Sequence, residues 1–157
     1  MKILFILVSA LIIQSCLMIN DEKAKVVNLS AAKIDSSDRE IIFLNDTGMN
    51  TDMAIGLSAY GFKVKAFSSQ QRVTDKSDSK KELQYNEAAA RYGIEIQGDW
   101  AMSCAFTKND VYDFTITLID IRTNEIINAY KQRAPDGDCT TLTPIYELYP
   151  EYLNSVW

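Results

Sequence analysis

The second half of the chain alternates apolar and polar residues over three consecutive stretches, and this alternation constrains the fold more than any other feature. A period of two is typical of strands that bury one face against a core. Turn sequences around residues 108–110 and 122–125 join the stretches, which predicts a three-stranded antiparallel meander. The apolar positions are Ile94, Ile96, Trp100, Met102, Cys104 and Phe106, then Tyr112, Phe114, Ile116 and Leu118, and then positions within Ile126 to Arg133.

The first half of the domain follows a different pattern, in which short apolar runs alternate with segments of helical periodicity. The predicted order is a strand at 41–44, a helix ending at Gly61, a strand at 62–67, a second helix at 79–92, the meander, and a closing helical segment at 142–157 that is interrupted at Pro150. The predicted fold class is therefore an α/β sandwich (α+β), in which a mixed sheet packs against helices.

The amino terminus begins with Lys2 and an uncharged apolar run, residues 3–13, that is followed closely by Cys16. The run is too short to cross a hydrocarbon core of about 30 Å, which takes about 20 residues. A short positive region followed by a short apolar region is typical of a secretory signal. Residues 1–15 are therefore predicted to be a signal peptide.

The four residues Ile13-Gln14-Ser15-Cys16 resemble the lipobox of bacterial lipoproteins. In that family the cysteine sulfur receives a diacylglycerol group, the signal is cut before the cysteine, and the new amino terminus is acylated, commonly with palmitate. The resemblance implies lipidation at Cys16, and the residue after it, Leu17, implies the outer membrane, facing the periplasm. The alternatives are an ordinary cleaved signal or a fortuitous buried cysteine.

Cleavage before Cys16 removes 15 of the 157 residues and leaves 142, which suits one domain and a tether. Residues 16–38 are predicted to be the lipidated terminus and a flexible tether, with room for one short strand at Val26 and Val27. Residues 39–157 are predicted to be a single periplasmic domain. The net charge is −5, and loss of Lys2 makes it −6. An acidic chain without a basic cluster is a poor ligand for nucleic acid, so membrane contact is expected from the lipid alone.

Three segments of the domain resemble a known group of periplasmic α/β domains. The matching segments are Leu57 through Val64, Gly93 through Gly98, and Leu118 through Ile127. The group includes curli-pore subunits, lipoprotein activators of penicillin-binding proteins, and the amino-terminal domain of the Tol-system propeller protein. The resemblance extends over roughly residues 40 to 130 and carries no catalytic signature. It implies a partner-binding role in the cell envelope.

The residues that enzymes use are sparse in this sequence, and we predict that the protein is not an enzyme and needs no cofactor or metal. There is no histidine, which is the commonest general base and metal ligand. Asp46-Thr47-Gly48 matches the aspartic-protease triplet, but those enzymes need two aspartates that share a proton. A turn explains the triplet better. Asp136-Gly137-Asp138 lacks the ligand spacing of a calcium loop and is also predicted to be a turn.

We predict a non-enzymatic outer-membrane lipoprotein that binds an envelope protein partner, as an adaptor or regulator of envelope machinery. The alternative is a self-associating subunit of a secretion or surface-assembly machine. The sequence does not indicate which residues bind the partner. Four aromatic residues near the carboxyl end suit either a binding patch or, more commonly at their spacing, the core; they are Tyr146, Tyr149, Tyr152 and Trp157.

The two remaining cysteines, Cys104 and Cys139, are predicted to form a disulfide. With Cys16 lipidated, they are the only thiols left in an oxidising compartment. In a meander the first and third strands are parallel, so both cysteines lie at the same end of the sheet. The strands are about 10 Å apart, and residues 134–138 are long enough to cross that distance. The alternative is two unpaired buried cysteines.

Overall fold

The computed structural model of the protein describes residues 23–30, 34–65, 90–105, 107–139 and 142–157. These residues form one six-stranded mixed sheet and two helices, so the predicted α+β class is confirmed. In chain order the elements are β1 (Lys25–Asn28), β2 (Glu40–Phe43), α1 (Asn50–Ala59), β3 (Lys63–Lys65), β4 (Tyr92–Ser103), β5 (Asp110–Asp120), β6 (Glu125–Pro135) and α2 (Ile145–Val156).

The sheet is open, with strand order β1-β6-β5-β4-β2-β3. Strands β4, β5 and β6 are antiparallel neighbours and form the predicted meander. Strand β2 is parallel both to β4 and to β3, and α1 connects β2 to β3. A parallel pair cannot be joined by a tight turn, so a helical crossover at this place follows from the topology.

The core lies between one face of the sheet and both helices. Alternate residues of the strands point into it, as the period of two requires. Helix α1 contributes Met53 and Leu57, which are four residues apart and fully buried. The other fully or nearly fully buried apolar residues of the core include Ile41, Phe43, Ile94, Ile96, Ile116, Leu118, Ile145, Tyr149 and Leu153. Within the described ranges, no helix is both long enough and apolar enough to cross a membrane.

The amino-terminal edge of the sheet comes from the segment that the sequence assigned to the tether. Strand β1 pairs antiparallel with β6, placing Val26 opposite Tyr130 and Val27 opposite Ala129. The short strand expected at Val26 and Val27 is therefore present. Its four residues are all exposed, and nothing in the described part of the chain pairs with its outer edge.

Two predictions about helices need correction. Helix α2 runs through Pro150 without the predicted interruption. The predicted second helix was expected to end at Tyr92, but β4 begins at that residue. The hydroxyl of Tyr92 accepts a hydrogen bond from the backbone N–H of Asp35 at 2.8 Å. Residues 79–89, where that helix was expected, lie outside the described residues.

A β-bulge in β4 changes the face on which its last residues lie. Trp100 is opposite Tyr112, but Met102 is opposite Val111, so the register shifts between the two. An extra residue on one strand reverses the alternation beyond it. The prediction that Trp100 and Met102 share a buried face is therefore wrong. Trp100 stays on the helix-facing side of the sheet, but 62 % of its surface is exposed.

The two helices approach each other most closely at Gly56. A Cβ atom at this position would collide with the backbone carbonyl oxygen of Tyr146 and would lie 3.0 Å from Cγ of Pro150. Proline has no N–H to donate to the carbonyl four residues earlier, so Pro150 leaves the Tyr146 carbonyl without its usual helical partner. That carbonyl instead faces the bare α-carbon of Gly56. The missing side chain sets the distance between the helices.

We expect Gly56→Ala to lower the free energy of unfolding by about 1 to 3 kcal/mol, the usual cost of overpacking. The backbone oxygen of Tyr146 cannot rotate away as a side chain could, so the clash outweighs the better helix propensity of alanine, about 1 kcal/mol. Urea unfolding measures the change. Ser58→Ala, at an exposed position of the same helix, is the control and should be neutral or slightly stabilising. Equal stability of both variants would contradict the close approach.

Tyrosine rings fill the part of the core beneath α2. Tyr130 packs against Tyr152 with ring centroids 4.7 Å apart and against Tyr149 at 5.4 Å. The hydroxyl of Tyr149 is fully buried and has no hydrogen-bond partner among the described residues. Burial raises the pKa of Tyr130 to about 12 and also raises the pKa of Tyr149. The folded state therefore requires both rings in the neutral form.

The free energy of unfolding should fall as the pH rises from about 10 toward 12, because tyrosine in the unfolded chain ionises near pH 10. Below pH 10 this stabilising contribution is fully present. Tyr149→Phe should weaken the alkaline loss, and at pH 7 it should change stability by no more than about 1 kcal/mol, since the hydroxyl has no described partner to lose. Denaturant unfolding at several pH values measures both effects. An unchanged alkaline slope in Tyr149→Phe would show that this ring is not the cause.

Candidate functional site

An aromatic surface is exposed at the end of the sheet where β4 meets β5. Trp100 lies opposite Tyr112, and the next pair on the same face is Gly98 opposite Phe114. The rings of Tyr112 and Phe114 are 5.6 Å apart. Burial increases along the row, since Trp100 is 62 % exposed, Tyr112 is half-buried and Phe114 is only 3 % exposed. We call Trp100, Tyr112 and Phe114 the aromatic end.

Gly98 gives the aromatic end its shape. A Cβ atom at this position would lie 2.9 Å from Cε1 of Phe114, so the ring of Phe114 lies across β4 where any other residue would hold it away. A cavity of about 250 Å³ opens beside the two residues and is bounded by Thr47, Met49 and Asp136. The turn between β2 and α1 therefore forms one wall of the concavity, and the sheet forms the other.

Hydrogen bonds between Asp110 and Asp136 hold the strand ends beside this surface. The backbone N–H of Asp110 donates to the Asp136 carboxylate, and the backbone N–H of Asp136 donates to the Asp110 carbonyl, each at 3.0 Å. The hydroxyl of Ser103 donates to the Asp110 carboxylate at 2.6 Å. Burial, and then the charges of Asp136 and Asp110, raise the pKa of Tyr112, which remains a neutral hydroxyl.

A disulfide joins Cys104 to Cys139 in the structure, with Cα atoms 5.9 Å apart. Cys104 follows β4 directly, and its backbone N–H donates to the Asn109 carbonyl at 3.0 Å. Cys139 pairs with Leu142 in an isolated bridge shortly before α2 begins. The disulfide thus connects the turn next to the aromatic end with the approach to the closing helix. It lies at the same end of the sheet as Trp100.

The sequences that resembled catalytic or metal sites lie in irregular segments, residues 46–48 between β2 and α1 and residues 136–138 directly after β6. The Asp46 carboxylate accepts a hydrogen bond from the backbone N–H of Gly48 at 3.3 Å, and the positive φ of Gly48 (72°) suits that turn. Asn109 donates through its side chain to the Asp138 carbonyl at 2.7 Å. Within the part of the chain that the structure describes, no three acidic, cysteine or histidine residues come together as metal ligands would.

The sequence-predicted residues do not gather at one place. Cys104 and Cys139 lie beside the aromatic end, whereas Cys16 is outside the described residues. The four carboxyl-terminal aromatic residues belong to the core, which confirms the commoner interpretation of their spacing: Tyr149 is fully buried, and Tyr146, Tyr152 and Trp157 pack against the core. Trp100 was missed as an exposed residue because its position in the alternation predicted burial. The sequence carries no visible signal of where the helices stop covering the sheet.

Comparison with solved structures finds distant similarity. A PelC dodecamer from Paraburkholderia phytofirmans is 14 % identical, with 85 % of this chain and 94 % of that chain covered and a TM-score of 0.45. Another PelC dodecamer structure from the same organism is 14 % identical, with coverage of 73 % and 82 % and a TM-score of 0.46. TolB from Acinetobacter baumannii is 11 % identical, with 85 % of this chain but 29 % of that chain covered and a TM-score of 0.37. No protein family profile and no curated protein sequence matches the chain.

We expect Trp100→Ala to change the free energy of unfolding by less than about 1 kcal/mol, since most of this side chain is already in water. Phe114→Ala, two positions away on the neighbouring strand, should cost about 3 to 5 kcal/mol because it empties a buried site. Thermal and denaturant unfolding of the two variants measure the contrast. A large loss in Trp100→Ala would mean that the indole supports the fold and is not free to bind.

Non-reducing peptide mapping should give one peptide pair linked through Cys104 and Cys139. Because the bridge closes a loop of 35 residues, replacing both cysteines by serine should lower the free energy of unfolding by up to about 4 kcal/mol in the chain-entropy model. Recovery of two alkylatable thiols from the unfolded, unreduced protein would contradict the bridge.

Proposed function

We propose that this protein is a non-enzymatic outer-membrane lipoprotein, held on the periplasmic side by lipid at Cys16, whose domain binds an envelope protein through the aromatic end. The observation that carries the proposal is the exposure of Trp100 on a rigid support. Tryptophan and tyrosine are enriched at the energetic centres of protein interfaces. An exposed indole beside a concavity of about 250 Å³ gives a partner both a ring to cover and a recess to fill.

The support beneath Trp100 favours binding because little must be ordered when a partner arrives. The Cys104–Cys139 disulfide and the hydrogen bonds between Asp110 and Asp136 already fix the strand ends. The ordering of loops and side chains on association is unfavourable and weakens binding, so a surface that is fixed beforehand binds more tightly. The Asp136 carboxylate accepts from the backbone N–H of Asp110, and the Asp110 carboxylate accepts from the Ser103 hydroxyl. These structural contacts support a binding role over a catalytic one.

The direction of β1 relates the aromatic end to the lipid anchor. Strand β1 is antiparallel to β6, so the amino-terminal end of β1, at Lys25, lies toward the end of the sheet where β6 finishes. Trp100 lies at that same end. Cys16 precedes Lys25 by nine residues, which reach at most about 30 Å when fully extended. A lipidated Cys16 would hold the aromatic end toward the outer membrane, so we expect the partner in or close to that membrane.

The anchor is tested by Cys16→Ser. The variant should lose the acyl chains, each of which contributes about 0.8 kcal/mol per buried methylene, and should be found unprocessed or in the soluble fraction. Fractionation and intact-mass measurement of the membrane-bound protein provide the evidence. A mature, soluble wild-type protein with a free Cys16 thiol would overturn the anchor while leaving the aromatic end open to test.

Partner binding is tested by placing a photo-crosslinking amino acid at position 100 in intact cells. The matched control position is 126, because Ile126 is also exposed (43 %) but lies at the opposite end of the sheet, next to the turn between β5 and β6. We expect one discrete adduct from position 100 and none from position 126. Crosslinking from neither position, or equally from both, would contradict binding through the aromatic end.

Self-association is the second candidate function, and the exposed edge of β1 favours it. The outer backbone groups of β1 have no described partner, and Val26 and Val27 are 40 % and 46 % exposed. An open edge of this kind can pair with the edge of another copy. A photo-crosslinking amino acid placed on the β1 edge distinguishes the two functions by the mass of the adduct. A doubled subunit mass indicates a second copy, and any other mass indicates a different protein.

A further inference from the structure

A second concavity lies between the two helices, on the side that faces away from the sheet. Helix α1 contributes Ile55, Gly56 and Ala59 to it, and α2 contributes Tyr146. Its volume is about 420 Å³. We call it the helix groove. At Gly56 the groove reaches the helix backbones, because the helices touch there without an intervening side chain.

Ile55 gives the helix groove an exposed apolar side chain on the α1 side. It is 65 % exposed, the highest value among the large hydrophobic residues that the structure describes. Ala59 follows it by four residues and therefore lies on the same side of α1. A lone exposed isoleucine is ordinary, but this one stands at the rim of a recess, beside Tyr60, which is 39 % exposed.

The rim of the helix groove is acidic. Asp52 on α1 and Glu147 and Glu151 on α2 line it, and neither helix contains a lysine or an arginine. Glu147 and Glu151 are four residues apart, so they are neighbours on one face of α2, an arrangement that costs a few tenths of a kcal/mol for like charges. Folding does not benefit from this pair.

Among the described residues that line the helix groove, none is a lysine or an arginine that would balance its negative charge. Arg39 reaches one end, but its guanidinium donates to the Tyr60 carbonyl at 2.6 Å and to the Asn154 side chain at 3.2 Å. The pKa of Tyr146 is raised, first by burial and then by the charges of Asp138, Glu147 and Asp52, so a phenolic ring in the groove is held neutral by a negative field.

We propose that the helix groove is a docking site for a short cationic amphipathic helix of another protein, a function separate from binding at the aromatic end. Apolar side chains of this helix would cover Ile55 and Ala59, and lysine or arginine side chains would face Glu147 and Glu151. From Asp52 to Tyr60, α1 is about 12 Å long, which matches about two turns of the bound helix. Recognition of an amphipathic helix by an apolar groove is a common mode of peptide binding.

A selection from random 16-residue peptides displayed on phage tests the proposal, with the full chain purified in detergent as the target. We expect the enriched peptides to be net positive, with apolar residues spaced three and four apart. An enriched set that is neutral or acidic, or no enrichment above the level of a blank surface, overturns the proposal.

Matched variants then locate the binding of the strongest enriched peptide by calorimetry. Glu151→Lys should weaken it about fivefold, the effect of one rim charge, whereas Glu125→Lys, an exposed glutamate at the start of β6, should leave it within about twofold. Ile55→Ala should weaken it about tenfold through lost apolar contact, and Ile126→Ala should not. Far-ultraviolet circular dichroism checks that each variant is folded.

The variants distinguish peptide binding in the helix groove from a general charge effect and from self-association. Equal loss in Glu151→Lys and Glu125→Lys would show a general charge effect and overturn the assignment. A protein dimer that Glu151→Lys dissociates, without enrichment of cationic peptides, would show that a second copy occupies the groove. Loss of the photo-crosslink from position 100 tests only the aromatic end, so failure of that function and failure of this inference can be told apart.

Discussion

The helix layer depends on one contact, the approach of Gly56 to the backbone carbonyl of Tyr146. Pro150 leaves that carbonyl without its intrahelical donor, and glycine is the residue that lets another helix come near enough to cover it. This spacing lets Leu57 of α1 and Tyr149 of α2 reach the same buried layer above the sheet. It also shapes the outer side, because helices that touch at their backbones leave a shallow groove lined by the residues on either side.

At the aromatic end, the residues of the core-facing side of the sheet are no longer covered by the helices. Both helices end their cover of the sheet before Trp100, although the strand that carries it continues to Ser103. Phe114 is buried, Tyr112 is half-buried and Trp100 is open, so the surface is a continuation of the core that the fold leaves uncovered. The disulfide between Cys104 and Cys139 links the end of β4 to the segment before α2 beside this surface.

The features that the sequence predicted are those governed by local periodicity. Alternation over residues 112–118 and 126–133 predicted β5 and β6, and the four-residue spacing of Met53 and Leu57 predicted the buried stripe of α1. Gly61, with φ of 82°, ends the first helix as its position suggested. Each of these depends on neighbours in the chain, so the signal is contained in the sequence itself.

The features that the sequence did not predict depend on contacts between distant segments. Pro150 predicted an interruption, but its helix continues, and the freed carbonyl of Tyr146 faces Gly56, about ninety residues earlier in the chain. The bulge beside Trp100 depends on the register with β5, and its exposure depends on where α1 and α2 stop. The acidic rim of the helix groove likewise combines side chains from two helices far apart in sequence. Residue patterns identify these side chains but do not show that they lie close together in the fold.

The most direct test of a protein-binding aromatic end is the solvent accessibility of Trp100 in its native place. Hydroxyl-radical footprinting can compare its oxidation in intact cells with that in the purified protein, with Ile126 at the other end of the sheet as the reference. We expect Trp100 to be oxidised several-fold more slowly in cells while Ile126 is unchanged, because a bound partner excludes water from an interface centre. Equal oxidation of Trp100 in the two states would contradict the account.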